Sequence, residues 1–206
     1  MAERAAATAT RRSRPEASSS RSIFQEELDS LAEQIRDMGA LTRVALESAL
    51  DAFATEATAR CDAVIDGDDA VDERYLAIQH GALRLIALQA PVASDARLLT
   101  ASMHVALHLE RIGDLAANVA ELTKLAAGLP RDPVVVRNLK EMGATALGMV
   151  EEAMRAFADR DADACLAVAR DDGKVDAWSR AVLKRVLAIE TPRERHRWGC
   201  ELLWLM

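Results

Sequence analysis

The sequence predicts an all-α protein, built as a tandem repeat of two three-helix bundles whose second bundle is incomplete at its C-terminal helix. Half of its 206 residues are hydrophobic but only 3% are aromatic, so small and aliphatic side chains supply the apolar surface. Such a composition favours closely packed helices. Apolar residues recur at helical spacing through each long segment. The sequence also matches itself without gaps at a shift of 104 residues.

The net charge and the cysteine content exclude some classes of function. The net charge of −7 argues against general nucleic-acid binding, which needs a basic surface. The three cysteines form no CxxC pair and, being odd in number, no closed disulfide set, so free thiols in a reducing compartment are expected. No apolar run approaches the roughly 20 residues that span a bilayer, and no signal-peptide core follows the N-terminal arginines. We therefore expect a cytoplasmic protein without direct membrane insertion.

The first helix is predicted to follow a disordered tail. Residues 1–21 are rich in Ala, Thr, Ser and Arg and show no apolar period. Ser22 and Gln25 form an S-x-x-Q capping box, which favours a helix start at this point. Helical spacing of apolar residues then extends from Ile23 to about Thr55.

The second helix is predicted from Thr58 to Ala90, with Gly67 as a potential break. An acidic run lies around this potential break, and no EF-hand loop with the required D-x-D-x-D-G pattern is present. Acidic residues near a helix start interact favourably with the helix dipole, so we interpret the run as such a start. Its members are Asp66, Asp68, Asp69, Asp72 and Glu73.

The third helix is predicted from Asp95 to about Ala127. Pro91 ends the preceding helix because the residue before a proline is pushed out of the α region. Ser94 and Asp95 are then the expected caps, and Asp95 in the first turn also suits the helix dipole. The first repeat accordingly takes residues 22–128.

The second repeat is predicted over residues 132–206. Asp132 followed by Pro133 is a favourable N-cap and first helical residue, so a fourth helix starts there and runs to about Ala158. A fifth helix is expected over about residues 161–189. Thr191, with proline after it and glutamate three positions on, predicts the start of a sixth helix.

The internal match supports this duplication. At the shift of 104, the counterparts of Glu110 and Asp114 fall beyond Met206, so only one such acidic row is expected. Two explanations stay open: a truncation or frame shift near residue 190, or completion of the bundle by a partner subunit. Either predicts an exposed apolar groove, and with it poor solubility or self-association, for instance as a homodimer. The clearest matches are Met38-Gly39-Ala40 with Met142-Gly143-Ala144, Phe53 with Phe157, and Cys61 with Cys165.

The helical stretch from His104 to Leu122 carries the candidate site. Glu110 and Asp114 are four residues apart, so their carboxylates lie one turn apart, and Asn118 continues the row. Such a like-charge pair destabilises a helix by a few tenths of a kcal/mol, which a divalent or trivalent cation or a basic partner would offset. The row lies nearly opposite the apolar stripe, so a merely solvated face is the competing interpretation.

Taken together, three segments resemble the PhoU family, the accessory and regulatory proteins of phosphate transport. The resemblance covers about residues 22–189, and the motifs are specific in combination. They are Phe24-x-x-Glu27-Leu28-x-x-Leu31, Leu88-Gln-Ala-Pro-Val-Ala-Ser-Asp-Ala-Arg97, and Glu110-Arg-Ile-Gly-Asp114-Leu-Ala-x-Asn118.

The resemblance implies a cytoplasmic regulator that lowers phosphate uptake when phosphate is plentiful. Its expected partners are the ATPase of the phosphate transporter and the phosphate-sensing histidine kinase. It also implies iron or another metal bound on an E/D-x-x-x-D row, here Glu110 and Asp114. Arg97 and Arg111 could bind a partner carboxylate or a phosphate group, although ion pairs with Asp95 or Glu110 are the simpler interpretation.

Catalysis is not expected. No nucleophile–base pair, phosphate loop or Gly-rich fingerprint appears in the sequence. A di-iron enzyme in a helical bundle would need Glu-x-x-His pairs, and no histidine here has a glutamate three residues before it. Besides a non-enzymatic adaptor, the remaining alternatives are a carboxylate metal-binding bundle and a purely structural helical dimer.

Overall fold

The computed structural model describes residues 16–188 as five α-helices, and this range contains no strand. The all-α prediction is confirmed. None of the described helices combines the length and the apolar content needed to cross a membrane. The helices are α1 (Glu16–Thr55), α2 (Thr58–Gln89), α3 (Ala93–Leu125), α4 (Pro133–Asp159) and α5 (Ala162–Leu187).

The first repeat is a three-helix bundle in which α1, α2 and α3 all pack against one another. Its core contains Ile35 and Met38 of α1, Ile78 of α2 and Leu99 of α3, all fully buried. In the second repeat α4 packs on α5, and α4 also packs on α1. The sixth helix predicted from Thr191 lies outside the described residues.

Two predicted features of the first helices are wrong. The first helix begins at Glu16, so Ser22 lies inside it and does not cap it. Once a helix has formed, each added residue gains one backbone hydrogen bond and loses little further conformational entropy. Extension of the helix beyond the predicted start is therefore favoured. The second helix runs unbroken through Gly67. A single glycine costs a helix about 1 kcal/mol, which packing along a 32-residue helix offsets.

The predicted cap of α3 is also wrong. Val92 is the N-cap residue and makes no side-chain capping bond, whereas Ser94 and Asp95 lie in the first turn. There the Ser94 hydroxyl donates to Asp95 Oδ1 at 3.3 Å. At α4, by contrast, the prediction is confirmed. The N–H groups of the second and third helical residues donate to Asp132 Oδ1 at 2.9 and 3.1 Å, and Pro133 is the first helical residue.

The segment between α3 and α4 is fixed at its C-terminal end. The Arg131 guanidinium lies 4.6 Å from the centroid of the Phe53 ring and donates to the Phe53 carbonyl at 2.7 Å. It also pairs with Glu56, the residue that follows α1, at 3.0 Å. Asp132 accepts from Arg185 of α5 at 2.7 Å. The start of the second repeat is therefore bonded to both α1 and α5.

The two repeats exchange phenylalanines. Phe53 of α1 packs in the core of the second repeat with Val135, Leu139 and Val182. Phe157 of α4, its counterpart at the shift of 104, packs against the core of the first repeat. Each repeat thus completes the core of the other. Contacts that recur with their two members exchanged are the mark of a twofold-related interface.

Two glycines repeat the same exchange. A Cβ built on Gly39 would lie 2.6 Å from Met154 Cε, and one on Gly143 would lie 2.9 Å from Leu50 Cδ1 and closer still to Cδ2. Gly143 is the counterpart of Gly39, and Met154 is the counterpart of Leu50. Each glycine therefore makes room for the long side chain of the other repeat, which lets α1 and α4 approach closely.

This close approach gives a stability prediction. We expect Gly143→Ala to lower the free energy of unfolding by about 1–3 kcal/mol, because the new methyl overlaps Leu50 in a packed interface. Gly148→Ala, on the same helix with no atom near its Cβ, should instead raise it by up to about 1 kcal/mol. Urea unfolding of both variants measures the difference. Equal stabilities would contradict the packing described for Gly143.

Candidate metal centre

Three carboxylates from two helices meet where α2 packs against α3. One carboxylate oxygen from each of Asp72, Glu110 and Asp114 lies within 4.8 Å of the other two. Asp72 comes from α2, whereas Glu110 and Asp114 come from successive turns of α3. The two predicted metal residues are therefore adjacent in space, and α2 contributes an acid that the sequence analysis did not assign to the site.

Asp68 extends the group by one turn of α2. Burial raises the pKa of Asp68, and the charges of Asp114, Asp72 and Asp69 raise it further. Burial likewise raises the pKa of Glu110, as do Asp114 and Asp72, against a smaller lowering by Arg111. We refer to Asp68, Asp72, Glu110 and Asp114 as the carboxylate cluster.

The cluster lacks a compensating cation among residues 21–188. Each ion pair in this range joins other groups, such as Arg74 with Asp37 at 3.2 Å and Lys124 with Asp62. Arg111 acts on Glu110 through its charge, without an ion pair between them. Carboxylates held close together without a cation repel one another, which destabilises the fold. A bound cation would remove that repulsion.

The donor set fits a hard cation. Carboxylate oxygens are the ligands preferred by Mg²⁺, Ca²⁺ and Mn²⁺, and they also bind iron in helical bundles. His104 and His108 lie on α3 but outside the group that meets within 4.8 Å. The residues present would hold a metal through Asp72, Glu110 and Asp114, with Asp68 next to them.

The other predicted site residues lie apart from the cluster. Asn118 is exposed one turn beyond Asp114. Asp95 lies 15 residues before Glu110 on α3, about 22 Å along the helix axis. Arg97 and Arg111 are exposed, and neither forms an ion pair with a residue in the described range, so the predicted pairs with Asp95 and Glu110 do not form.

The interpretation of the acidic run as a helix start is wrong. The second helix begins at Thr58, well before Asp68, so the run lies inside it, and its members Asp68 and Asp72 face α3. A signal for this was available, because Asp68-x-x-x-Asp72 has the same spacing as Glu110-x-x-x-Asp114. The pattern of acids along either helix alone could not show that the row on α2 lies next to the row on α3.

The second repeat retains part of this pattern. Asp172 and Asp176 of α5 are the counterparts of Asp68 and Asp72, so acids in this spacing occur on the equivalent helices α2 and α5. Asp176 pairs with Arg180 at 3.1 Å. At the position equivalent to Arg180, α2 has Leu76, which leaves Asp72 without such a neighbour.

The raised pKa values give a pH-dependent prediction. A carboxyl whose folded-state pKa is raised destabilises the fold when ionised, and protonation removes that effect as the pH falls through the raised value. In metal-free buffer at pH 7 we therefore expect Asp68→Asn to unfold at a higher temperature than wild type. This increase in unfolding temperature should become smaller as the pH falls to about 4, near the pKa of Asp in an unfolded chain.

Thermal unfolding followed by circular dichroism between pH 7 and pH 4 measures this gain, with EDTA present throughout. Asp172→Asn, at the equivalent position of α5, is the matched control. A gain for Asp68→Asn that is independent of pH would contradict the electrostatic explanation.

Comparison with known proteins finds similar sequences and structures among proteins named as accessory or regulatory proteins of phosphate transport. A family model described as "PhoU domain" matches residues 35–123 and 139–198. The phosphate-specific transport system accessory protein PhoU of Escherichia coli K12 is 29% identical over 164 residues, which are 80% of this chain and 68% of that protein.

Two crystal structures have a similar fold. PhoU from Pseudomonas aeruginosa superposes with a TM-score of 0.82 at 30% identity, covering 88% of both chains. The phosphate transport system regulatory protein PhoU from Streptococcus pneumoniae superposes with a TM-score of 0.80 at 26% identity, covering 88% of this chain and 86% of that one.

Proposed function

Because the chain belongs to the PhoU family, we propose that it is a non-enzymatic regulator of phosphate uptake and phosphate-responsive signalling. The names of its relatives support this proposal, since they are called accessory or regulatory proteins of phosphate transport. The all-helical fold shared with the Pseudomonas aeruginosa protein supports it as well. In this proposal the chain acts in the cytoplasm by binding other proteins.

The proposed partners are the ATPase of the phosphate transporter and the phosphate-sensing histidine kinase. The C-terminal end of α2 and the turn after it form a suitable docking surface, because they lie in the second motif of the family resemblance and expose apolar side chains. Leu88 is 70% exposed and Val92 is 74% exposed. Exposed apolar groups that lie together commonly mark contact surfaces. The homodimer remains a prediction.

We further propose that the carboxylate cluster binds iron or another divalent or trivalent metal. The observation that supports it is the convergence of Asp72, Glu110 and Asp114 without a compensating cation in the described part of the chain. The metal would supply positive charge that ties α2 to α3. The residues themselves supply oxygen ligands. The pKa of Glu110 is raised first by burial and then by repulsion from Asp114 and Asp72, which a cation would relieve.

Co-precipitation tests the adaptor role. The tagged chain should retain the transporter ATPase or the cytoplasmic part of the histidine kinase. Leu88→Ser with Val92→Ser should weaken that retention, whereas Leu166→Ser, a similarly exposed leucine on α5, should leave it unchanged. Retention of neither partner by the wild-type chain would contradict the proposal.

A further inference from the structure

We propose that Gly113 positions the carboxylate cluster, by letting α2 approach α3 closely enough for Asp68 and Asp72 to meet the acids of α3. This inference rests on the proposed metal-binding role of the cluster. Gly113 immediately precedes Asp114 on α3 and is buried. A residue with no side chain at this point leaves the backbone of α3 open to α2.

The space at Gly113 is filled by two residues of α2. A Cβ built on Gly113 would lie 3.2 Å from Asp68 Oδ1 and 3.2 Å from Val71 Cγ1. Both distances are shorter than most contacts that a Cβ makes with a neighbouring atom, so the neighbour would have to move by a few tenths of an ångström. An added methyl would therefore press on the cluster carboxylate and on the core residue beside it.

The two neighbours would respond differently. Asp68 can rotate its carboxylate away, and that movement takes it out of the cluster. Val71 is 2% exposed and branched at Cβ, so its side chain has few rotamers in a helix and is held by the core. Because Val71 cannot turn aside, the α2 backbone would have to move, and Asp72 lies directly after Val71. Both responses separate α2 acids from Glu110 and Asp114.

The glycine is otherwise unfavourable in the middle of a long helix. Alanine is the better helix former, so local propensity favours Gly113→Ala. Glycine at this position is explained by the close contact across to α2. Gly67, next to Asp68 on α2, lacks such a contact, because a Cβ built on it would have no neighbour within 4 Å.

Mn²⁺ binding to the whole chain, measured by isothermal titration calorimetry, tests this role. We expect Gly113→Ala to raise the Kd for Mn²⁺ by about tenfold or more, as is common when a group that orients metal ligands is disturbed. The matched control Gly67→Ala should keep the wild-type Kd. Circular dichroism confirms that each variant is folded.

A rescue separates positioning from general destabilisation. In Gly113→Ala with Val71→Ala the removal of Val71 Cγ1 leaves Val71 Cβ 3.6 Å from the new methyl, which is an ordinary contact. The double variant should therefore recover much of the affinity. An unchanged Kd for Gly113→Ala, an equal loss in Gly67→Ala, or no rescue would each overturn the positioning role. Absence of Mn²⁺ binding to the wild-type chain would instead overturn the proposed metal site, and the inference with it.

Discussion

Replacing Glu110 by glutamine and Asp114 by asparagine should abolish cation binding while leaving the fold intact. The amides keep the shape of the carboxylates but remove two of the charges that would attract a metal. Wild-type protein at Mn²⁺ of 100 times its Kd should gain about 2.7 kcal/mol in the free energy of unfolding. The variant should gain none. Thermal unfolding with and without Mn²⁺ measures both values.

The control for this experiment is available in the second repeat. Asp172→Asn with Asp176→Asn removes two acids of the same spacing from α5, where Asp176 is already paired with Arg180. This variant should keep the full Mn²⁺-dependent gain. If the variant at Glu110 and Asp114 keeps the gain as well, the carboxylate cluster is not the binding site.

Phe53→Ala should lower the free energy of unfolding by about 3–5 kcal/mol, the range for removing a buried aromatic side chain. Phe53 is only 6% exposed, and its ring fills the core of the second repeat beside Val135 and Val182. The variant also loses the ring on which the Arg131 guanidinium stacks. The core packing of the ring and its stacking with Arg131 both stabilise the contact between the repeats, so the variant weakens that contact in two ways.

Urea unfolding measures the effect of Phe53→Ala, and Phe157→Ala supplies the comparison. Phe157 occupies the reciprocal position against the first core but is only partly buried, so its loss should destabilise in the same direction by a smaller amount. A Phe53→Ala variant within about 1 kcal/mol of wild type would contradict the exchange of phenylalanines between the repeats.

The helices themselves could be predicted because their signals are local. Asp132 with Pro133 marks the start of α4 through the hydrogen-bonding capacity of one side chain and the fixed φ of the next residue. The helical spacing of apolar residues is also a local signal, and it predicted the ends of α2 and α5 closely. The wrong predictions of helix caps at Ser22 and at Ser94 with Asp95 also concern single residues. Several positions can satisfy one capping pattern, so the pattern does not fix the end of a helix.

The contacts between helices could be predicted only in part. The internal match paired Phe53 with Phe157 and Gly39 with Gly143. It did not show that each packs into the opposite repeat, because a shift in sequence carries no information about which surface a side chain covers. Asp72 was missed for a related reason. Its proximity to Glu110 depends on how α2 and α3 are aligned along each other, and the acidic pattern of either helix alone leaves that alignment open.

Diffraction from crystals of the whole chain grown with Mn²⁺ tests most directly whether acids of two helices jointly bind a cation. An anomalous difference map should show a peak between α2 and α3, within ligand distance of Asp72, Glu110 and Asp114. A map without a peak there, or with Mn²⁺ bound only by other residues, would contradict the assignment of the carboxylate cluster as a metal site.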